Sequence, residues 1–96
     1  LDPGAKATLQ AASVVGRAFW QAPLGVLVDD PVLGPLEDRD FVRRRSGSSI
    51  AGDVEYVFRH ALTREVAYGS LTKAARASLH ARFADWLDGP AAVETM

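Results

Sequence analysis

Apolar residues recur at helical spacing from the first turns of the chain. Ala5, Leu9 and Ala12 fall on one face, with Ala11, Val14 and Val15 on an adjoining one. Asp2 is a capping residue, and Pro3 suits a first helical position, where its missing N–H costs nothing. Gly16 is the stop. Phe19 and Trp20 follow at once, and at least one of them is expected to anchor the core. A second short helix is predicted over 23–28, with Leu24, Leu27 and Val28 on its apolar face. Asp29-Asp30-Pro31 repeats the cap-plus-proline signal and predicts a third helix over about 31–40 that buries Val32, Leu33 and Leu36. Gly34-Pro35 disturbs it, because an internal proline removes a hydrogen bond and clashes with the preceding turn; this helix either starts late, at Pro35, or bends.

The period then changes from helical to two. Segments 41–45 and 53–58 read as strands, the second with Val54, Tyr56 and Phe58 alternating against Glu55 and Val57. The stretch 46–52, rich in Ser and Gly, is the loop between them. A fourth helix is predicted over 60–71 with Leu62 and Val66 facing inward. A last helix runs from a Thr72 cap to Leu87, with Ala75, Leu79, Phe83 and Trp86 as its stripe. Gly89-Pro90 ends it. The core is expected to hold Leu79, Phe83 and Trp86 with Leu62, Val66 and Leu9. The fold class is therefore mostly α with one β-hairpin, in the order three helices, hairpin, two helices. That layout is winged-helix-like, occupying 1–88, with a flexible tail over 89–96.

Composition narrows the class without naming a function. The 96 residues carry 11 basic and 12 acidic side chains, a net charge of -1 that attracts neither nucleic acid nor an anionic membrane over long range. At 48% hydrophobic and 24% charged residues the chain is that of one folded domain. There are no cysteines, which excludes a disulfide framework and thiolate metal sites and suits a cytoplasmic protein. No apolar run approaches the roughly 20 residues of a membrane span. The chain starts at Leu1 rather than methionine, which suggests an internal segment of a longer protein.

No catalytic motif is complete. His60 and His80 form no HExxH-type pair, and neither a GxSxG turn nor a GxxxxGK[ST] phosphate loop occurs. The expectation is a domain with no catalytic residues, metal or cofactor of its own. Arg43, Arg44 and Arg45 form a basic run on the first hairpin strand; it reads as a solvated edge strand, a phosphate-contacting wing or a contact to a partner domain. Glu37, Asp38 and Asp40 on the third helix oppose a phosphate backbone and speak against nucleic acid. His80 reads as a surface or boundary residue. His60 stands where the second strand meets the fourth helix, and a helix N-terminus with Arg59 and Arg64 nearby suits an anion. Capping or packing is the alternative for His60.

The stretches Phe58-Arg59-His60-Ala61-Leu62, Arg64-Glu65-Val66-Ala67-Tyr68 and Val14-Val15-Gly16-Arg17-Ala18-Phe19-Trp20, with Ala84-Asp85-Trp86-Leu87, resemble one family. They are similar to the region just after the nucleotide-binding domain in bacterial STAND-type AAA ATPases. Those proteins are fused to class III adenylate or guanylate cyclases, or to LuxR- or SARP-type transcriptional regulators. The likeness spans roughly 9–87. It implies a regulatory winged-helix-like module whose partners are the neighbouring nucleotide-binding domain and the C-terminal helical repeats of the same chain, with ATP or ADP and Mg held by the parent protein. It also implies that His60 matches the histidine of the family's Met-His-Asp motif, which approaches the β-phosphate of ADP; here Arg59 and Ala61 replace the flanking Met and Asp. The alternative reading is a DNA-binding winged-helix domain.

Overall fold

The first helix, α1 (Pro3–Val15), is set by its ends. Asp2 Oδ1 accepts the Ala5 N–H at 2.8 Å, and Pro3 fills the first helical position. A cap of this kind stabilises a helix by about 1 kcal/mol. Gly16 stops it with φ 149° and ψ -166°, a conformation open essentially to glycine alone. The computed structural model describes residues 2–48 and 52–89. Beyond α1 its elements are β1 (Ala18–Trp20), α2 (Gln21–Leu27), α3 (Gly34–Asp38), β2 (Val42–Arg44), β3 (Glu55–Phe58), α4 (Ala61–Gly69) and α5 (Lys73–Leu87). The chain is thus mostly helical with a small three-stranded antiparallel sheet.

α1 is the central element. Ala5, Thr8, Leu9, Ala11, Ala12, Ser13 and Val14 are all buried, a wide face of mostly small residues that lets α2, α3, α4, α5 and β1 come close on several sides. Two buried hydroxyls on α1 are satisfied. Thr8 Oγ1 donates to the Gly4 carbonyl and accepts the Val32 N–H, both at 2.9 Å, which ties α1 to the chain entering α3. Ser13 Oγ donates to the Gln10 carbonyl.

The sheet order is β1-β3-β2. Ala18, Phe19 and Trp20 pair with Val57, Tyr56 and Glu55; Val42, Arg43 and Arg44 pair with Phe58, Val57 and Tyr56. Strand alternation sends Phe19, Val42, Tyr56 and Phe58 inward. Phe19 is wholly buried, stacked on Tyr56 at a centroid distance of 5.6 Å and tilted against Phe58 at 5.4 Å. With Leu9, Leu24 and Leu36 these rings make the core.

Several expectations change in detail. A strand, β1, stands where the sequence suggests only bulky residues. Three residues are too few for a visible alternation, and β1 exists by pairing to β3. The second helix begins at Gln21, directly from β1, and Val28 lies just past its end. The third is confined to Gly34–Asp38, starting late around Pro35. Its end is closed by Phe41 N–H to the Leu36 carbonyl and Asp40 N–H to the Glu37 carbonyl, with Asp40 in the left-handed region at φ 63°.

Two core assignments fail. Leu62 and Val66 are 68% and 64% exposed, not buried. α4 meets α1 through the neighbouring face, where Ala67 is buried and Arg64 Nε donates to the Ser13 carbonyl at 3.1 Å. A small residue and a polar tie choose that face over the aliphatic one. On α5, Leu79 and Phe83 pack against the core, and Trp86 is half-buried and stacked on Phe83. None of them is fully buried, because α5 packs at the periphery on α1 and α2. The tail expected over 89–96 falls outside the described residues apart from Gly89, as does the middle of the hairpin loop.

Candidate functional site

His60 is the residue preceding α4, with extended backbone (φ -135°, ψ 135°). Its side chain makes no capping hydrogen bond and is exposed. The residue holds the N-cap position, its carbonyl accepting the Thr63 N–H, but its side chain neither caps the helix nor packs in the core. Arg59 is engaged on the other side of the chain. Its guanidinium stands 3.4 Å from Asp40 Oδ2, and its N–H donates to the Phe41 carbonyl. Arg64 does not join His60 in an anion cluster. It is bound to the end of α1 through Ser13, so its role is to hold α4 in place.

His80 is exposed on α5, where its Nε2 lies 3.0 Å from the Tyr68 hydroxyl, and Arg76 sits over the Tyr68 ring at 5.0 Å. This small aromatic and cationic cluster fastens α4 to α5.

The basic run splits across the two faces of the sheet, as a period of two demands. Arg44 shares the side of Tyr56, donating to its hydroxyl at 3.3 Å with the guanidinium 5.7 Å from the ring centre. That hydrogen bond, the charge of the Tyr56 oxygen and then that of Glu37 hold Arg44 above the ordinary arginine value. Arg43 and Arg45 take the outer face. There Arg45 pairs with Glu55 at 2.9 Å, and the same buried carboxylate accepts the Trp20 indole N–H at 2.9 Å.

The ends of the strands bring in more cations. β1 begins, β3 ends and β2 begins at the same end of the sheet, because each neighbouring pair is antiparallel. Arg17 and Arg59 therefore flank the row Ala18–Val57–Arg43. Together with Arg45 they line a shallow concavity of about 570 Å³ over Val57 and Ala18. Sequence reasoning finds Arg43, Arg45 and Arg59 but misses Arg17, which lies far away along the chain. Among the described residues neither Arg17 nor Arg43 has an ion-pair partner.

A second, apolar groove of about 680 Å³ runs between α1 and α4, lined by Leu9, Phe41, Leu62, Val66 and Ala67 among others. Among the described residues no group of three or more His, Asp or Glu gathers to hold a metal ion. No helix among them is long and apolar enough to cross a membrane. Compared with protein-family models, curated proteins and solved structures, the chain matches none.

Proposed function

We propose that the chain is a non-catalytic regulatory module of a longer STAND-type ATPase signalling protein, built as a winged-helix-like domain and working in the cytoplasm. The observation that carries this is α4. It turns Leu62 and Val66 outward over the apolar groove and begins at an exposed His60 whose side chain makes no capping hydrogen bond. Aliphatic side chains left together on a surface are characteristic of a face that another body covers. In this reading the body is the nucleotide-binding domain of the same chain, and helical repeats follow beyond α5. The order of the elements supports the winged-helix reading: the hairpin β2–β3 follows the third helix, and β1 closes the sheet on β3.

His60 senses nucleotide and does not by itself hold it. One hydrogen bond from His60 contributes only about 0.5–3 kcal/mol, against the roughly 8 kcal/mol of a micromolar site. ATP or ADP with Mg belongs to the neighbouring domain, and His60 favours the ADP-bound resting state from outside. The output is a nucleotide cyclase or a transcriptional regulator. In the purified longer protein, His60→Ala and Leu62→Asp should each speed ADP release and raise basal output while leaving the fold intact. Release rates and output equal to wild type in both variants would defeat the proposal.

The rival reading, a DNA-binding domain, draws on Arg17 and Arg43, which have no ion-pair partner among the described residues. Against it, α3 is only five residues long and carries Glu37 and Asp38, with Asp40 just beyond. An anisotropy titration at physiological salt should show no sequence-selective duplex binding. Submicromolar, selective binding would reverse the preference.

A further inference from the structure

We propose that Arg17, Arg43 and Arg59, with Arg45 at the rim, form a binding site for a compact phosphate anion on the outer face of the sheet. The site is a product of topology. All three strands deliver an arginine to the same end of the sheet, and the small floor of Ala18 and Val57 leaves space above it. Four guanidinium groups around one concavity repel one another unless negative charge joins them. The protein supplies part of that charge. Glu55 takes Arg45 at 2.9 Å, and Asp40 stands 3.4 Å from Arg59. Arg17 and Arg43 are left exposed with no acidic partner among the described residues.

Two uncompensated cations match the dianion of a phosphate group. Planar guanidinium forks bind phosphate oxygens in pairs, and a tetrahedral phosphate offers enough oxygens for several forks at once. A carboxylate, with one charge and two oxygens, fills only one fork. The acids at the rim set the size of the ligand. A long polyanion crossing the sheet would meet the Glu55 carboxylate beside Arg45 on one side and Asp40 beside Arg59 on the other. A short phosphate-bearing molecule avoids both. The ligand class is therefore free phosphate, pyrophosphate or the phosphates of a nucleotide. The neighbouring domain is not required, so failure of this inference and failure of the regulatory reading are distinguishable.

The test is calorimetry on the 96-residue chain at low salt, with inorganic phosphate, pyrophosphate, ADP, acetate and a short DNA duplex as titrants. Phosphate or pyrophosphate should bind with a Kd on the order of 1 mM or tighter, and acetate far more weakly. Affinity for phosphate should rise between about pH 5 and 8, because the second phosphate proton is lost in that range while arginine stays charged. Equal affinity for ADP and pyrophosphate would assign recognition to the phosphates alone; tighter ADP binding would identify a nucleotide as the source. Both results support the site. Arg17→Gln with Arg43→Gln should weaken binding about tenfold or more at unchanged thermal stability. Arg44→Gln, on the opposite face, should leave it unchanged. Three results would overturn the proposal: no binding at about 10 mM phosphate or pyrophosphate, undiminished binding by the Arg17/Arg43 double variant, or duplex binding tighter than pyrophosphate with a steep salt dependence.

Discussion

Two phenylalanines distinguish the core that the structure builds from the one the helical stripe suggests. Phe19 lies on a three-residue strand and is wholly buried; Phe83 lies on the longest helix and keeps part of its surface in water. Truncating a fully buried phenylalanine to alanine costs about 3–5 kcal/mol, because the lost transfer energy is joined by a cavity. Phe19→Ala should fall at the upper part of that range. It removes two ring contacts, to Tyr56 and Phe58, each worth about 0.5–1.5 kcal/mol beyond area burial. It also opens a void at the middle of β1, which paired strands on both sides of Tyr56 cannot easily collapse to fill. Phe83→Ala loses less apolar burial and one stacked neighbour, Trp86, at 6.3 Å, and solvent can enter the space. A cost of about 1–2 kcal/mol is expected, near the mean for point substitutions. Thermal melts followed by circular dichroism separate the two. At about 5 °C per kcal/mol for a domain of this size, Phe19→Ala should lower Tm by roughly 20 °C and Phe83→Ala by about 10 °C or less. If Phe83→Ala proves the more damaging, the core lies under α5 and the packing described above is wrong.

Thr8→Val keeps the shape but strips Val32 of the acceptor for its N–H; the unsatisfied donor costs about 1–3 kcal/mol, partly offset by the new methyl. Urea denaturation should show a lower midpoint at unchanged slope, and a midpoint at or above wild type would refute the bridge between α1 and the entry to α3. Gly16→Ala forces a side chain onto φ 149° and should cost about 1–3 kcal/mol by the same assay, although the nearest atom to an added Cβ, the Ala18 carbonyl oxygen, is at an ordinary 3.5 Å. A neutral Gly16→Ala would mean that the turn from α1 into β1 has other routes.

Local signals in the chain were the readable ones. Asp2 and Thr72 cap their helices, and Gly16 stops the first, because each acts on backbone groups within a few residues. What depends on distant partners was not readable. β1 exists through its pairing to β3, and three residues carry no pattern of their own. Periodicity located an apolar face on α4 but could not say whether anything packs on it. The neighbour chosen by α1 is the Ala67 side, so Leu62 and Val66 face out. On α5 the stripe has the right direction and the wrong depth. The same division applies to the site. The start of α4 just after His60 is legible because helix starts are local. Arg64, the expected companion of His60, is turned to α1 by a tertiary hydrogen bond to Ser13. The splitting of Arg43 from Arg44 was available from strand alternation alone, whereas the arrival of Arg17 beside them required the sheet.

The Glu55 carboxylate, shared between Trp20 on one outer strand and Arg45 beside the other, gives the molecule a built-in optical probe. An indole whose N–H is bound to a carboxylate emits according to that bond and to the field around it. With Trp86 replaced by phenylalanine, the remaining tryptophan fluorescence would come from Trp20 alone, on the same face as the arginine concavity. An anion arriving there would compete for Arg45, shift the carboxylate and change the emission, so occupancy of the outer face can be read without attaching any label.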